Sequence, residues 1–259
     1  GGAVAISWDW GSTSSSLTVR NSQFEQHESG IRAGVVSSDS AAVLVVENTT
    51  LSDVREVGID VRSGEAFLTD VTVWDVGGNG IKGHGSTTLN LTTVHVSEVG
   101  GTCISSSGPA VNAETVVVEK CGSVGLSASN GTLFAENVRA TENEGAGVSV
   151  RVLTMKDSTV SDNGSSGVLV SGTDISTIVN STVSGNGTYG VKGPSSGINL
   201  VDVSGCNLMD NENRAANEVR LMSGNYVADN NGETGVDDGV GGVLDGVRNT
   251  DTPQINDAD

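Results

Sequence analysis

The apolar residues of this chain fall in short period-two alternations broken by Asn, Asp and Gly. Alternation of that period predicts half-buried strands, and the breaks predict turns. One phrase returns along the chain: Asn or Asp, an apolar alternation, an acid, then Gly and an aliphatic. Its first position aligns on Asn48, Asp70, Thr93, Thr115, Asn137, Asp157, Asn180, Asp202 and Gly224. The steps are 22, 23, 22, 22, 20, 23, 22 and 22 residues. Ten residues after the start stand Gly58, Gly80, Cys103, Gly125, Gly147, Gly167 and Gly190. The aliphatics Ile59, Ile81, Ile104, Leu126, Val148, Val168 and Val191 follow them. Two residues before each start come Val46, Leu68, Leu91, Ala113, Ala135, Met155, Ile178 and Leu200. Length varies only on the arc from the Gly back to the next start, as it would if turns bulge outward there.

One such repeat cannot bury its apolar residues alone, whereas stacked copies make a continuous interior. A β-repeat of about 22 residues with aliphatic columns and turn Asn and Gly resembles the right-handed parallel β-helix, the pectate-lyase-like fold. The expected fold is therefore all-β: a single-stranded right-handed parallel β-helix of about 9–10 coils. Residues 1–19 are expected to form an N-terminal cap or donor-like strand, 20–227 the β-helix, and 228–259 an irregular Gly- and Asp-rich segment. The opening alternation of 3–8 is the capping strand, pairing with a coil edge in its own chain or in the next.

Composition agrees with a β-fold. Val outnumbers Leu by 39 to 14, and β-branched residues favour strands. Fourteen leucines cannot supply a leucine-rich repeat. The net charge of −19, with lysine only at 82, 120, 156 and 192, excludes nucleic acid as a partner. Such a Lys-poor acidic composition resembles proteins of salt-in halophiles, in which concentrated salt screens self-repulsion. No apolar run approaches the roughly 20 residues of a membrane span. The chain opens without a basic-then-apolar leader, as expected of a cytosolic or an already processed chain, and the extracellular reading below takes the processed mature form.

Two further columns stand out. Asp53, Asp75, Glu98, Lys120, Glu142 and Asp162 form an acidic strip, expected to face solvent. Asn143, Asn163, Asn186 and Asn211 are placed to stack as a hydrogen-bonded ladder.

Candidate chemistry is thin. Gly83-His84-Gly85 resembles the Gly-His-Gly of polygalacturonases, but no Asp-Asp precedes it and no Arg-x-Lys follows. The register sets Asp60 beside Lys82 and Arg62 beside His84 on one outward strip. Asp60, Lys82 and His84 are the catalytic candidates, because a lyase needs a base and a neutraliser for a substrate carboxylate. Arg62, Asp75 and Trp74 are the binding candidates, with Trp74 the one aromatic the register places outward. Asp229, Asn231 and Glu233 alternate as in a calcium loop and are the candidate Ca2+ ligands, although the Gly and final Glu of that motif are misplaced. No other cofactor is expected. Asn90 and Asn130 head Asn-x-Thr sequons on the variable arc and are the candidate glycosylation sites. Cys103 and Cys121 lie in neighbouring coils and can pair or stay free, with Cys206 left over.

The expected function is a non-catalytic extracellular or cell-surface protein, structural or adhesive, whose partners are copies of itself or surface glycans. The alternatives are a polysaccharide lyase or glycoside hydrolase of the pectate-lyase-like group, and a carbohydrate-binding module.

Overall fold

The computed structural model describes residues 4–8, 15–34, 42–194, 201–222, 224–230 and 236–237. Among them every regular element is a strand, and every pairing is parallel and between neighbouring coils. The result is a β-solenoid with three sheets running along its axis. The first sheet stacks 43–47 on 65–69, 88–92, 110–114 and 132–136. The second stacks 49–52 on 71–74, 94–97 and 116–119. The third stacks Ile31, Ile59, Ile81, Ile104, Leu126, Val148, Val168, Val191 and Ala216. No helix of the described residues is long and apolar enough to cross a membrane.

Two corners per coil turn the chain between sheets, and both need the left-handed backbone. The repeat start holds φ between 45° and 62° from Asn48 through Asp70, Thr93, Thr115, Asn137, Asp157 and Asn180 to Gly205. The acidic column holds φ between 49° and 64° from Asp53 through Asp75, Glu98, Lys120, Glu142 and Asp162 to Gly185. Gly, Asn and Asp adopt that region most readily, which is why they mark the repeat. The acidic side chains point outward and are exposed.

The left-handed column corrects one register assignment. Asn180 stacks on Gly205 rather than Asp202, because Thr182 pairs with Asn207. The last two steps are thus 25 and 19 residues, from 180 to 205 to 224. The extra residues enter on the variable arc before the first sheet. Asp202 sits within that sheet beside Thr177 and Arg220, and Val203 takes the inward place expected for Leu200, which lies outside the described residues.

The ends also join the ladder. Val4–Trp8 pairs in parallel with 29–33 of the same chain, and Ser16–Arg20 with 43–47. Val236–Asp237 pairs with Ala216–Asn217. The ladder therefore begins ahead of residue 20 and reaches past 227.

The interior changes chemistry along the rod. The column after the second corner reads Val54, Val76 and Val99, then Cys121, then Asn143, Asn163, Asn186, Asn211 and Asn230, all buried. Each Asn Nδ2 donates to the next Asn Oδ1, at 2.8, 2.9, 2.9 and 2.9 Å. The same amides cap the carbonyls of Val118, Ala140, Val160, Val183 and Leu208. A Cβ at Gly147 or Gly167 would meet the Nδ2 of Asn163 or Asn186 at 2.7 Å, so the glycine column leaves the room the ladder occupies. Where the two columns meet as Cys103 and Cys121, they form a disulfide with Cα atoms 5.6 Å apart. A second inward column switches in the same half of the rod: Val71, Val94, Val116 and Val138 give way to Ser158, Ser181, Cys206 and Asn225. Cys206 is a buried free thiol whose pKa burial pushes up to about 11.

Two stability outcomes follow. Asn163→Ala strands the amide of Asn143 and the carbonyl of Ala140, and should cost about 2–4 kcal/mol in denaturant unfolding. Thr115 is β-branched at φ 55°. Thr115→Asn should therefore stabilise by about 1 kcal/mol in the same assay, and a loss would show that its backbone is unstrained.

Candidate functional site

The third sheet turns Arg32, Asp60, Lys82, Ser105, Ser127 and Ser149 outward in one column. Strand alternation puts the neighbours Ile31, Ile59 and Ile81 into the core and turns these side chains to the outer side of the sheet, where Asp60 alone is buried by its neighbours. At its N-terminal end, basic groups converge on Asp60. Arg62 Nε donates to Asp60 Oδ2 at 3.0 Å, and His84 Nε2 lies 2.8 Å from Oδ1. Arg32 Nε stands 3.3 Å from Oδ2, an ion pair without hydrogen-bond alignment. Arg32 also donates to Ser29, whose hydroxyl donates to Glu56.

Asp60 is only 5% exposed. Burial by itself raises its carboxyl, but the hydrogen bonds from Arg62 and His84, with their charges, outweigh it and hold the pKa below the usual value. Both oxygens are engaged and the group stays ionised. That is the reverse of a general acid, which needs a raised pKa, and of a base, which needs an oxygen turned toward substrate.

The structure thus brings together Asp60, Arg62 and His84, with Lys82 next in the column and making no ion pair among the described residues. Arg32 is a member that sequence reading missed; its own repeat copy is too irregular to align by pitch. Trp74 and Asp75 are not part of the cluster. Trp74 lies in the strand Gly64–Val76, between Ser52 and Ser97 of the second sheet, and Asp75 is the exposed corner residue after it.

The other candidate sites lie away from this cluster. Asn90, on the variable arc, lies inside the strand Thr87–Val99, with its amide donating to Glu65 at 2.9 Å. Asn130 is exposed, at the register shift between Ala128 and Thr132. Asp229 is an exposed corner residue, and Asn231 and Glu233 lie outside the described residues. Among the described residues no three His, Cys, Asp or Glu groups gather as metal ligands.

Trp74 is not the one outward aromatic. Phe67 and Phe134, 39% and 48% exposed, stand on the outer surface of the first sheet. The signal was present: each lies three residues before a repeat start, next to the inward Leu68 or Ala135. A shallow groove of about 380 Å³ runs there past Asn90, Asn112, Glu114, Phe134, Glu136 and Lys156.

The Asp60 cluster makes a pH prediction. A carboxyl held below its unfolded value of about 3.9 stabilises the fold above that pH, and the contribution is lost as pH falls through the folded pKa. Stability should hold from neutral pH to about 4 and drop below it, and Asp60→Asn should flatten that step. At pH 7 the variant should lose about 3 kcal/mol, because two arginines remain packed without their anion. An unchanged acid limb in urea titrations would show that Asp60 is not what the fold depends on there.

No curated protein and no solved structure matches the chain. The family model described as "Right handed beta helix region" matches residues 10–152, more than half of the chain. With coils stacked in parallel throughout, the chain belongs to the right-handed β-helix family.

Proposed function

We propose that this chain is a non-catalytic rod of an extracellular or cell-surface protein, structural or adhesive in role. The observation that carries the reading is the state of Asp60. The acid best placed for catalysis is closed in by Arg62, His84 and Arg32, and serves as their anchor. The Cys103–Cys121 bond supports an oxidising setting, since such bonds persist outside the reducing cytosol. The rod also offers an end: Val4–Trp8 pairs on one side with 29–33, and its other edge carries no strand among the described residues. A second copy could add there by strand pairing.

The competing reading is a polysaccharide lyase or hydrolase. It draws on the 2.8 Å approach of His84 to Asp60 and on Lys82 beside them. Incubation with polygalacturonate or alginate separates the two. The rod reading expects no rise in unsaturated-uronide absorbance and no new reducing ends. Turnover that disappears in both His84→Ala and Lys82→Ala would replace it with the enzyme.

A further inference from the structure

We propose that the outer surface of the first sheet is a binding site for an uncharged linear oligosaccharide, with Phe67 and Phe134 as its stacking platforms. This deepens the adhesive reading by naming the ligand class, and rests on it in that the groove binds without turnover.

The outward column of that sheet reads Val45, Phe67, Asn90, Asn112, Phe134 and Thr154 along the rod. Two phenyl rings thus bracket two amides. Three coil steps separate the rings, roughly 14 Å at the usual strand spacing. Asn112 Nδ2 donates to Asn90 Oδ1 at 2.7 Å, and Asn90 Nδ2 donates to Glu65 Oε1 at 2.9 Å. The amides are therefore held in one orientation, and among the described residues Asn112 Oδ1 receives no donor. Thr92, Glu114 and Glu136 wall the groove, and Lys156 is paired with Glu136 at 2.6 Å.

A sugar ring has an apolar C–H face and a rim of hydroxyls. The face suits an exposed phenyl ring, and the rim suits fixed amides and carboxylates. The charge chooses among ligands. Glu65, Glu114 and Glu136 border the column against the single Lys156, so uronates, sulfates and phosphates are repelled. An extended peptide gains little, because backbone groups of this sheet are spent on the neighbouring coils and the face offers none for strand addition. A second copy would bring a net charge of −19 against the same acidic border.

The test is calorimetric titration of the full chain with cello-, xylo- and mannohexaose, using an oligogalacturonate as the charged control. At least one neutral hexasaccharide should bind. Phe134→Ala and Phe67→Ala should each weaken it by about tenfold. Phe134→Leu, which keeps an apolar side chain but not the flat ring, should do the same with unchanged melting. Trp74→Ala, on the second sheet, should bind as wild type. The site is refuted by no binding of any neutral hexasaccharide at millimolar concentration, by preference for the oligogalacturonate, or by equal losses in Trp74→Ala and Phe134→Ala. It is also refuted if Phe134→Ala instead dissolves a wild-type dimer. Chromatography of the same mixtures keeps the two ideas apart. Shortened products would overturn the non-catalytic reading and leave the groove standing, whereas intact sugars without binding heat would overturn the groove alone.

Discussion

Parallel stacking in register is the constraint on which everything else in this molecule rests. Each residue sits about 4.8 Å from its counterpart in the coils above and below, so every column must tolerate its own kind. Aliphatic columns meet this by packing, as Ile31, Ile59, Ile81 and Ile104 do in the core. Asn columns meet it because an amide both donates and accepts, so Asn143 to Asn230 link end to end. Ionised carboxylates only accept and repel one another when stacked, and the acidic column is found outside, where water and the left-handed corner accept it.

The same constraint explains the seam at the disulfide. A buried Val column and a buried Asn ladder cannot interleave, since an amide beside an isopropyl group loses a partner. The change is therefore made once in this column. Cys121 ends the valines, and its backbone N–H donates to Asn143, the first ladder amide. The thiol side is occupied by Cys103, which takes the place glycine holds in the neighbouring coils. A cross-link there ties two adjacent coils at the point where neither packing mode continues.

Much of this was legible in the sequence, for a physical reason. A left-handed corner and an inward aliphatic leave residue-type signatures in nearly every coil, so pitch and core columns could be read without neighbours. Asp202 shows the limit. The Val201-Asp202-Val203 alternation imitates a repeat start, and only the backbone of Gly205 distinguishes the true corner. Outward chemistry was less legible. Asp60 was placed beside Lys82 and Arg62 beside His84 on one strip, but the sequence carried no sign that His84 would reach across to Asp60 or that Arg32 would close the cluster from an irregular coil. Phe67 and Phe134 were readable from their offset to the repeat start, yet they are separated by 67 positions, and their relation exists only along the stack.

The three faces divide the work the surface can do. The third sheet neutralises Asp60, its one buried acid among the described residues, with its own bases, which ties the charges of those groups to one another. The second sheet pairs His95 with Glu119 at 3.1 Å and likewise spends its charge internally. The first sheet alone leaves large apolar rings in water beside oriented amides. Phe67 and Phe134 keep 39% and 48% of their surface in water, and that part of the apolar area adds nothing to the fold. It is the alignment of two such rings with a fixed pair of amides in one column, rather than exposure alone, that is best explained by contact with something outside the chain.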